Sequence, residues 1–312
     1  MPSIFLQEPF DADEIDQLRS EFRQYQFTST LEHEQWHAME IFYGSELKEE
    51  QLKKASHLKW IHTPGADLEG LCLDAIKERE ILLTLSKGKN VAQMTEFVLG
   101  AILSFAKQFF HWKQAPHDPE EFWDWPLKQT MWTLHNKTLL QIGLGEVGTE
   151  VTRIASSMGL KCWGVRKKRS FHPYCHKTFG FDAINSLLPT SDIVVIALPK
   201  IPTEKPFFSH EELELMKPDS ILIVLGSGNS LDEKALCDVG KSGKFRGILL
   251  DTFRHPPPAK NSKLWDIPNI ILTPSIGGHP ESEEHLAFHL FRKNLRAFIP
   301  GNLGIMKNLA IN

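Results

Sequence analysis

Residues Gly143-Leu144-Gly145-Glu146-Val147-Gly148 form a G-x-G-x-x-G run directly after an apolar pentad, Thr138-Leu139-Leu140-Gln141-Ile142. Glycines at this spacing let the chain turn sharply at a strand end and bring bare backbone N–H groups to a pyrophosphate at a helix mouth. Alone the pattern is a weak signal. Here an apolar strand precedes it, a helical pattern follows and a second apolar run comes after that, which is the context a dinucleotide site requires. The candidate contacts are Gly143, Gly145, Glu146, Val147 and Gly148. The end of the second strand, Lys161–Val165, selects the dinucleotide. An acidic side chain there would accept from a ribose 2′-OH and repel a 2′-phosphate. This chain has Arg166-Lys167-Lys168-Arg169 instead. Cations at that point pair with a 2′-phosphate, and arginine does so bidentately. The reading is NADP through Arg166 and Lys167, with NAD as the alternative and a solvated basic turn as the bland one.

The elements that must position these residues follow from hydrophobic periodicity. In the first part, strands over Ser3–Gln7, Glu40–Tyr43, Leu58–His62 and Ile81–Thr84 alternate with helices over Asp11–Tyr25 and Lys48–Ala55. The long helical pattern Val91–Phe110 leads into an aromatic, irregular stretch holding Trp112, Trp123, Trp125 and Trp132. That stretch reads either as an arm packed on another subunit or as a loop over the chain's own core. After the glycine turn come a helix over Val147–Met158 and strands over Asp192–Ala197, Ser220–Leu225, Gly247–Leu250 and Asn269–Leu272. Their apolar runs do not alternate, as in strands buried on both faces. A final helix, Glu283–Phe298, is expected to return to the first domain. The fold class is α/β, with two doubly wound parallel-sheet domains: a flavodoxin-like substrate domain and a Rossmann cofactor domain. The expected boundaries are residues 1–91 plus 285–312 for the first and 92–284 for the second.

Composition narrows the function class. At 312 residues the chain is long for one core. Apolar residues make up 41% and charged residues 24%, and the net charge of -4 offers no electrostatic footprint for nucleic acid. No apolar run is long enough to suggest a membrane span. The N-terminus lacks a basic n-region and a signal-type apolar core, so a cytoplasmic protein is expected. Cys72, Cys162, Cys175 and Cys237 are scattered, as for unpaired thiols in a reducing compartment. The segment His172-Pro173-Tyr174-Cys175-His176 lacks a second ligand pair at zinc spacing and reads as a polar loop, so no metal is expected. Gly226-Ser227-Gly228 is not a nucleophile elbow, which argues against a hydrolase.

Further ordered matches run along nearly the whole chain: Leu58-Lys59-Trp60-Ile61 with Pro64-Gly65-Ala66-Asp67, Met94-Thr95-Glu96-Phe97, Ala197-Leu198-Pro199, Met216-Lys217-Pro218, Leu231-Asp232-Glu233, Leu250-Asp251-Thr252-Phe253 and Asn269-Ile270-Ile271-Leu272-Thr273-Pro274. In this set the chain resembles the D-isomer-specific 2-hydroxyacid dehydrogenases, in particular the glyoxylate/hydroxypyruvate reductase branch. The resemblance implies hydride transfer between a nicotinamide and C2 of a 2-keto or 2-hydroxy acid, and a homodimer held through the cofactor domains. It implies that backbone N–H groups of the Pro64, Gly65, Ala66, Asp67 loop face a small-molecule carboxylate. It also implies that Leu198 and Pro199 lie beside the adenosine, and that Asp251 meets the nicotinamide carboxamide.

The same resemblance calls for an Arg, a Glu and a His to hold and protonate the substrate. In the matching frames those positions carry Ser227, Pro256 and Ser275. Serine has neither the charge nor the pKa for either role near neutrality, and proline offers no polar side chain. Loss of a general acid costs about 100- to 10,000-fold in rate. Arg254 and His279 are the nearest substitutes, with solvent-facing loop positions as the alternative. Two function classes stay open: an oxidoreductase with impaired or altered chemistry, and a dinucleotide-binding sensor or interaction protein without turnover.

Overall fold

The computed structural model describes the chain except for residues 9, 31–34, 66–67, 69, 87, 89, 200–205, 279–282 and 312, and describes residues 35, 283–285 and 311 by backbone alone. The chain divides into two compact units, Met1–Lys89 with Pro280–Asn312, and Asn90–His279.

In the first unit, β1 (Ser3–Leu6), β2 (Gln26–Thr28), β3 (Met39–Tyr43), β4 (Trp60–Thr63) and β5 (Leu82–Leu85) are parallel in the order β5-β4-β3-β1-β2. A last strand from the end of the chain, β13 (Leu309–Ile311), joins β5 antiparallel. This is the flavodoxin-type order with one antiparallel edge. Side chains alternate across the sheet. Ile4, Leu6, Ile41, Tyr43 and Trp60 face Phe288, Phe291 and Leu295 of the helix Glu283–Phe298. Met39, Phe42, Ile61 and Leu83 fill the other face with Leu52 and Ile76 of two short helices. A polar node is buried inside this unit. His62 is fully buried, with Nδ1 2.7 Å from Thr84 Oγ1 and Nε2 2.9 Å from Ser86 Oγ. Trp60 Nε1 donates to the same Thr84 hydroxyl at 2.8 Å. Burial pushes the His62 imidazole down to about 3.

The second unit holds seven strands: β6 (Thr138–Ile142), β7 (Lys161–Val165), β8 (Lys177–Phe179), β9 (Ile193–Leu198), β10 (Ile221–Gly226), β11 (Gly247–Leu250) and β12 (Ile270–Leu272). All pairings are parallel, in the order β12-β11-β10-β9-β6-β7-β8. The absence of alternation in these sequences now has its cause. Leu140, Val194, Leu222, Val224 and Ile248 enter one core, and Leu139, Ile193, Val195, Ile221 and Ile223 enter the opposite one. Both faces are apolar because helices cover both. Val98, Ile102 and Phe105 of the helix Val91–Ala106 and Val151 and Ala155 of the helix Glu146–Ser157 cover the second face.

The α/β class with two parallel-sheet domains is as the sequence implied. Three short strands were not expected: β2, β8 and β13. Each has three residues, too few for periodicity to register. The long helix is also shorter than its pattern. It ends at Ala106, Gln108 takes a left-handed φ of 59°, and Phe109–Trp112 forms a separate turn.

Candidate functional site

The strand order places β6 inside the second sheet, between β9 and β7. Parallel strands put all their carboxyl ends on one edge, where α/β proteins bind ligands at the point of strand-order reversal. The glycine turn lies there, and its three glycines serve three different ends. Gly143 has φ 96°, and a Cβ on it would lie 2.3 Å from the Ala197 carbonyl oxygen. A Cβ on Gly148 would lie 2.0 Å from the Gly143 carbonyl oxygen, so the helix sits tight against the turn. Gly145 differs. It is the N-cap of the helix Glu146–Ser157 with φ −76° and ψ −164°, and nothing stands within 4 Å of where its Cβ would be. The folded chain gives no steric reason for glycine at 145, whereas a phosphate approaching the helix mouth does. Thr149 N–H bonds the Gly145 carbonyl at 2.9 Å, so the N–H groups of Glu146, Val147 and Gly148 precede the helix's hydrogen-bonded turn. These are the donors an anion takes up at a helix N-terminus. The residues present therefore fit a dinucleotide pyrophosphate.

Two supports of this turn escaped sequence reading. Gln141 is fully buried and its Nε2 donates to the Gly143 carbonyl at 3.1 Å, bracing the turn from below. A lone amide inside the run Thr-Leu-Leu-Gln-Ile was the available signal. His172 is the other. It is buried, with Nε2 3.2 Å from Thr149 Oγ1, and burial followed by the Arg166 charge lowers its pKa.

Ile142 pairs with Val165, so the basic turn after β7 lies beside the glycine turn after β6. Arg166 is half-buried and its N–H donates to the Phe179 carbonyl at 3.1 Å. Lys167, Lys168 and Arg169 are exposed, and Arg169 reaches Asp182 at 4.0 Å. Cys162 and Cys175, in the same neighbourhood, are pushed up by burial to about 12 and about 11. Among the described residues no group of three His, Cys, Asp or Glu side chains could hold a metal ion.

At the ends of β9 to β12 the backbone is cross-tied. Leu198 is buried and Pro199 exposed; the Leu198 carbonyl accepts from Ser227 N–H at 3.1 Å. Ser227 Oγ accepts from Asn229 N–H at 3.3 Å and caps the short turn Gly228–Ser230. Thr252 Oγ1 donates to the Gly226 carbonyl at 3.1 Å. Asp251 is 6% exposed and its carboxylate binds the next loop: Thr273 Oγ1 at 2.6 Å and Ile276 N–H at 2.9 Å on Oδ1, and Gly277 N–H at 3.0 Å on Oδ2. Among the described residues, one of the roughly four acceptor sites of the carboxylate remains, on Oδ2. Ser275, at a left-handed φ of 57°, donates through Oγ to the Asp251 carbonyl at 3.0 Å. The two serines that stand where charged residues were expected thus tie backbone to backbone.

Arg254, His255 and Pro256 are exposed, and Arg254 N–H donates to Glu233 Oε1 at 2.7 Å. His279, the other substitute, lies outside the described residues, as do Ala66 and Asp67. Pro64 and Gly65 are half-buried in the first unit, where Thr63 Oγ1 donates to the Gly65 carbonyl at 2.8 Å.

Residues 99–277 match the model of the D-isomer specific 2-hydroxyacid dehydrogenase NAD binding domain. The chain belongs to that family, and its second unit is a nicotinamide-dinucleotide-binding domain. It is 27% identical over 268 residues to a D-3-phosphoglycerate dehydrogenase of Methanocaldococcus jannaschii, covering 83% of this chain and 49% of that protein, so it spans about half the length of that relative. It is 26% identical over 265 residues to a glyoxylate reductase of Thermococcus litoralis, covering 81% of this chain and 78% of that one. In fold it is similar to the apo D-mandelate dehydrogenase of Rhodotorula graminis, with a TM-score of 0.81 at 20% identity over 100% of this chain and 98% of that one. Among the described residues no helix is long and apolar enough to cross a membrane.

Proposed function

We propose that this protein binds NADP and has lost, or redirected, the keto-acid reduction of its family. The observation that carries the reading is the open space at Gly145 beside the basic turn Arg166-Lys167-Lys168-Arg169, set against the neutral, backbone-tied Ser227 and Ser275. The amides of Glu146 to Gly148 hold the pyrophosphate, and Arg166 and Lys167 hold the 2′-phosphate. Leu198 and Pro199 flank the adenosine. Asp251 fixes the loop 273–277 and keeps one acceptor site for the carboxamide. The bound nicotinamide supplies or takes a hydride. No residue at 227, 256 or 275 has a side chain that gives up or takes on a proton near neutral pH, or a cation for a carboxylate, so substrate polarisation and proton delivery fall by orders of magnitude.

The role that the family resemblance gives the sequence Pro64–Asp67 leaves a small acid as the ligand of the first unit, the substrate-side domain in this reading. In the alternative, dinucleotide occupancy itself is the signal and the protein acts as a sensor in the cytoplasm, where its four free cysteines stay reduced. A second copy completes the particle. Phe109, Phe110, Phe122, Trp123 and Met131 are exposed along one segment, and clustered exposed apolar side chains mark interaction surfaces.

The test is NADPH oxidation with glyoxylate, hydroxypyruvate and a broad 2-keto acid panel, alongside cofactor titration. Tight cofactor binding without turnover is the expected result. Turnover in the ordinary range of about 1–1,000 per second refutes the loss of activity on that substrate. Sedimentation that gives a monomer at micromolar concentration removes the dimer.

A further inference from the structure

The basic turn after β7 carries four adjacent cations, Arg166 to Arg169. Like charges this close repel one another, and long side chains on a surface turn are mobile. Such a turn recognises one phosphate well only if something holds it. His172 does so from the far end. It is 7% exposed, although the Phe171 before it is 88% exposed. Its Nε2 lies 3.2 Å from Thr149 Oγ1, and Thr149 is the residue whose N–H closes onto Gly145 at the mouth of the phosphate-binding helix. Cys175 N–H donates to the His172 carbonyl at 3.2 Å, and the Tyr174 ring meets the imidazole edge-on at 5.9 Å. Nδ1 is buried with no hydrogen-bond partner among the described residues. Burying an imidazole with one nitrogen unsatisfied is unfavourable, and no packing need in a solvated loop accounts for it. Burial and, after it, the nearby Arg166 guanidinium both disfavour the ring's charged form.

We propose that His172 is a positioning residue for 2′-phosphate recognition: by docking the turn 166–176 onto Thr149 it holds Arg166 beside the glycine-rich mouth. The proposal rests on the NADP reading given above. Loss of the anchor leaves the pyrophosphate cradle intact and releases the cations, so it weakens binding of the phosphorylated dinucleotide and spares the other.

Calorimetric titration of the full chain with NADPH and with NADH tests this. The wild type binds NADPH more tightly. His172→Phe and, independently, Thr149→Val reduce the NADPH-over-NADH preference about tenfold while NADH affinity is unchanged. His172→Gln, whose amide reaches the Nε2 position, retains most of the preference. A wild type without preference for NADPH refutes the NADP reading and this proposal with it. A wild type that prefers NADPH, with Thr149→Val and any foldable His172 variant keeping that preference, refutes the role of His172 alone. Parallel loss of both affinities also refutes it, since that is the mark of a merely structural residue.

Discussion

Gly145 separates what the fold needs from what the ligand needs. Its backbone, at φ −76° and ψ −164°, lies in the region open to any residue, and a Cβ there points into space with no atom within 4 Å. Gly145→Ala should therefore barely alter the free protein. Alanine gains about 0.4–1 kcal/mol by restricting the unfolded chain. It is a poorer N-cap than glycine by a similar amount, about 0.5–1 kcal/mol. The two nearly cancel, and the melting temperature moves by about 2 °C or less. Binding responds differently, because the added methyl stands where a pyrophosphate must approach the N–H groups of Glu146 to Gly148. Loss of one hydrogen bond to a charged group costs about 1.5–3 kcal/mol, or about 10- to 100-fold in affinity. With NADPH at 100 times the wild-type Kd the cofactor stabilises the wild type by about 2.7 kcal/mol, but a 100-fold weaker variant by only about 0.4 kcal/mol. Thermal melts with and without NADPH read both quantities. Gly148→Ala is the contrasting case: its Cβ would sit 2.0 Å from a backbone oxygen, so the free protein itself loses about 1–3 kcal/mol. A Gly145→Ala variant that keeps the full NADPH-induced shift would refute the assignment of the helix mouth as the pyrophosphate site.

Three further outcomes follow from named contacts. His62 has its folded pKa lowered to about 3 from 6.5, so its contribution to stability is complete above about pH 6.5 and drains away as pH falls toward 3. By pH 5 the loss is about 2 kcal/mol. Urea unfolding at pH 7.5 and pH 5.0 should show that increment in the wild type and not in His62→Gln, and equal pH dependence in both would contradict it. Asp251→Asn keeps one carbonyl oxygen but sets an NH2 against the N–H of either Ile276 or Gly277 and destabilises the 273–277 loop by about 1–3 kcal/mol; faster amide exchange confined to that loop is the expected readout, and unchanged exchange counts against the assigned hub. Ser227→Arg with Ser275→His, with or without Pro256→Glu, should raise any residual reductase activity, since histidine tolerates the left-handed φ of 57° at 275 better than most residues. No gain would mean that the pocket differs at more than these positions.

Much of the cofactor half was legible in the sequence because it depends on backbone geometry, which glycine spacing reports directly. The turn at Gly143, the helix that begins at Glu146 and the strand ends at Ile142 and Val165 fall where periodicity and the glycine pattern put them. The rest was hidden for two reasons. Strands of three residues such as Lys177–Phe179 are too short for a repeated two-residue alternation to register. Tertiary hydrogen bonds have no local signature: that Asp251 clasps Ile276 and Gly277, or that His172 reaches Thr149, depends on residues more than twenty positions apart meeting across the sheet edge. A histidine among Pro, Tyr and Cys, as at His172, gives no hint of burial.

The asymmetry between the two halves of the site has a physical cause. Dinucleotide binding is performed largely by main-chain N–H groups, so it survives side-chain change as long as Gly143, Gly145 and Gly148 keep the turn open. Acid–base catalysis rests mainly on side chains, so it is far more sensitive to their replacement. Once Ser227 and Ser275 occupy the two key places, their hydroxyls are best used locally, and both are: one caps Gly228–Ser230, the other holds the Asp251 carbonyl. An arginine at 227 could not accept the Asn229 N–H, and a histidine at 275 would have to give up the Asp251 carbonyl to turn toward a substrate. The loops at the ends of β10 to β12 are thus tied by the same two serines. That coupling predicts a trade-off. Restoring charge at 227 and 275 should lower the melting temperature of the free protein even where it raises turnover. Variants that regain activity with no loss of stability would show that the serine contacts contribute nothing to holding these loops.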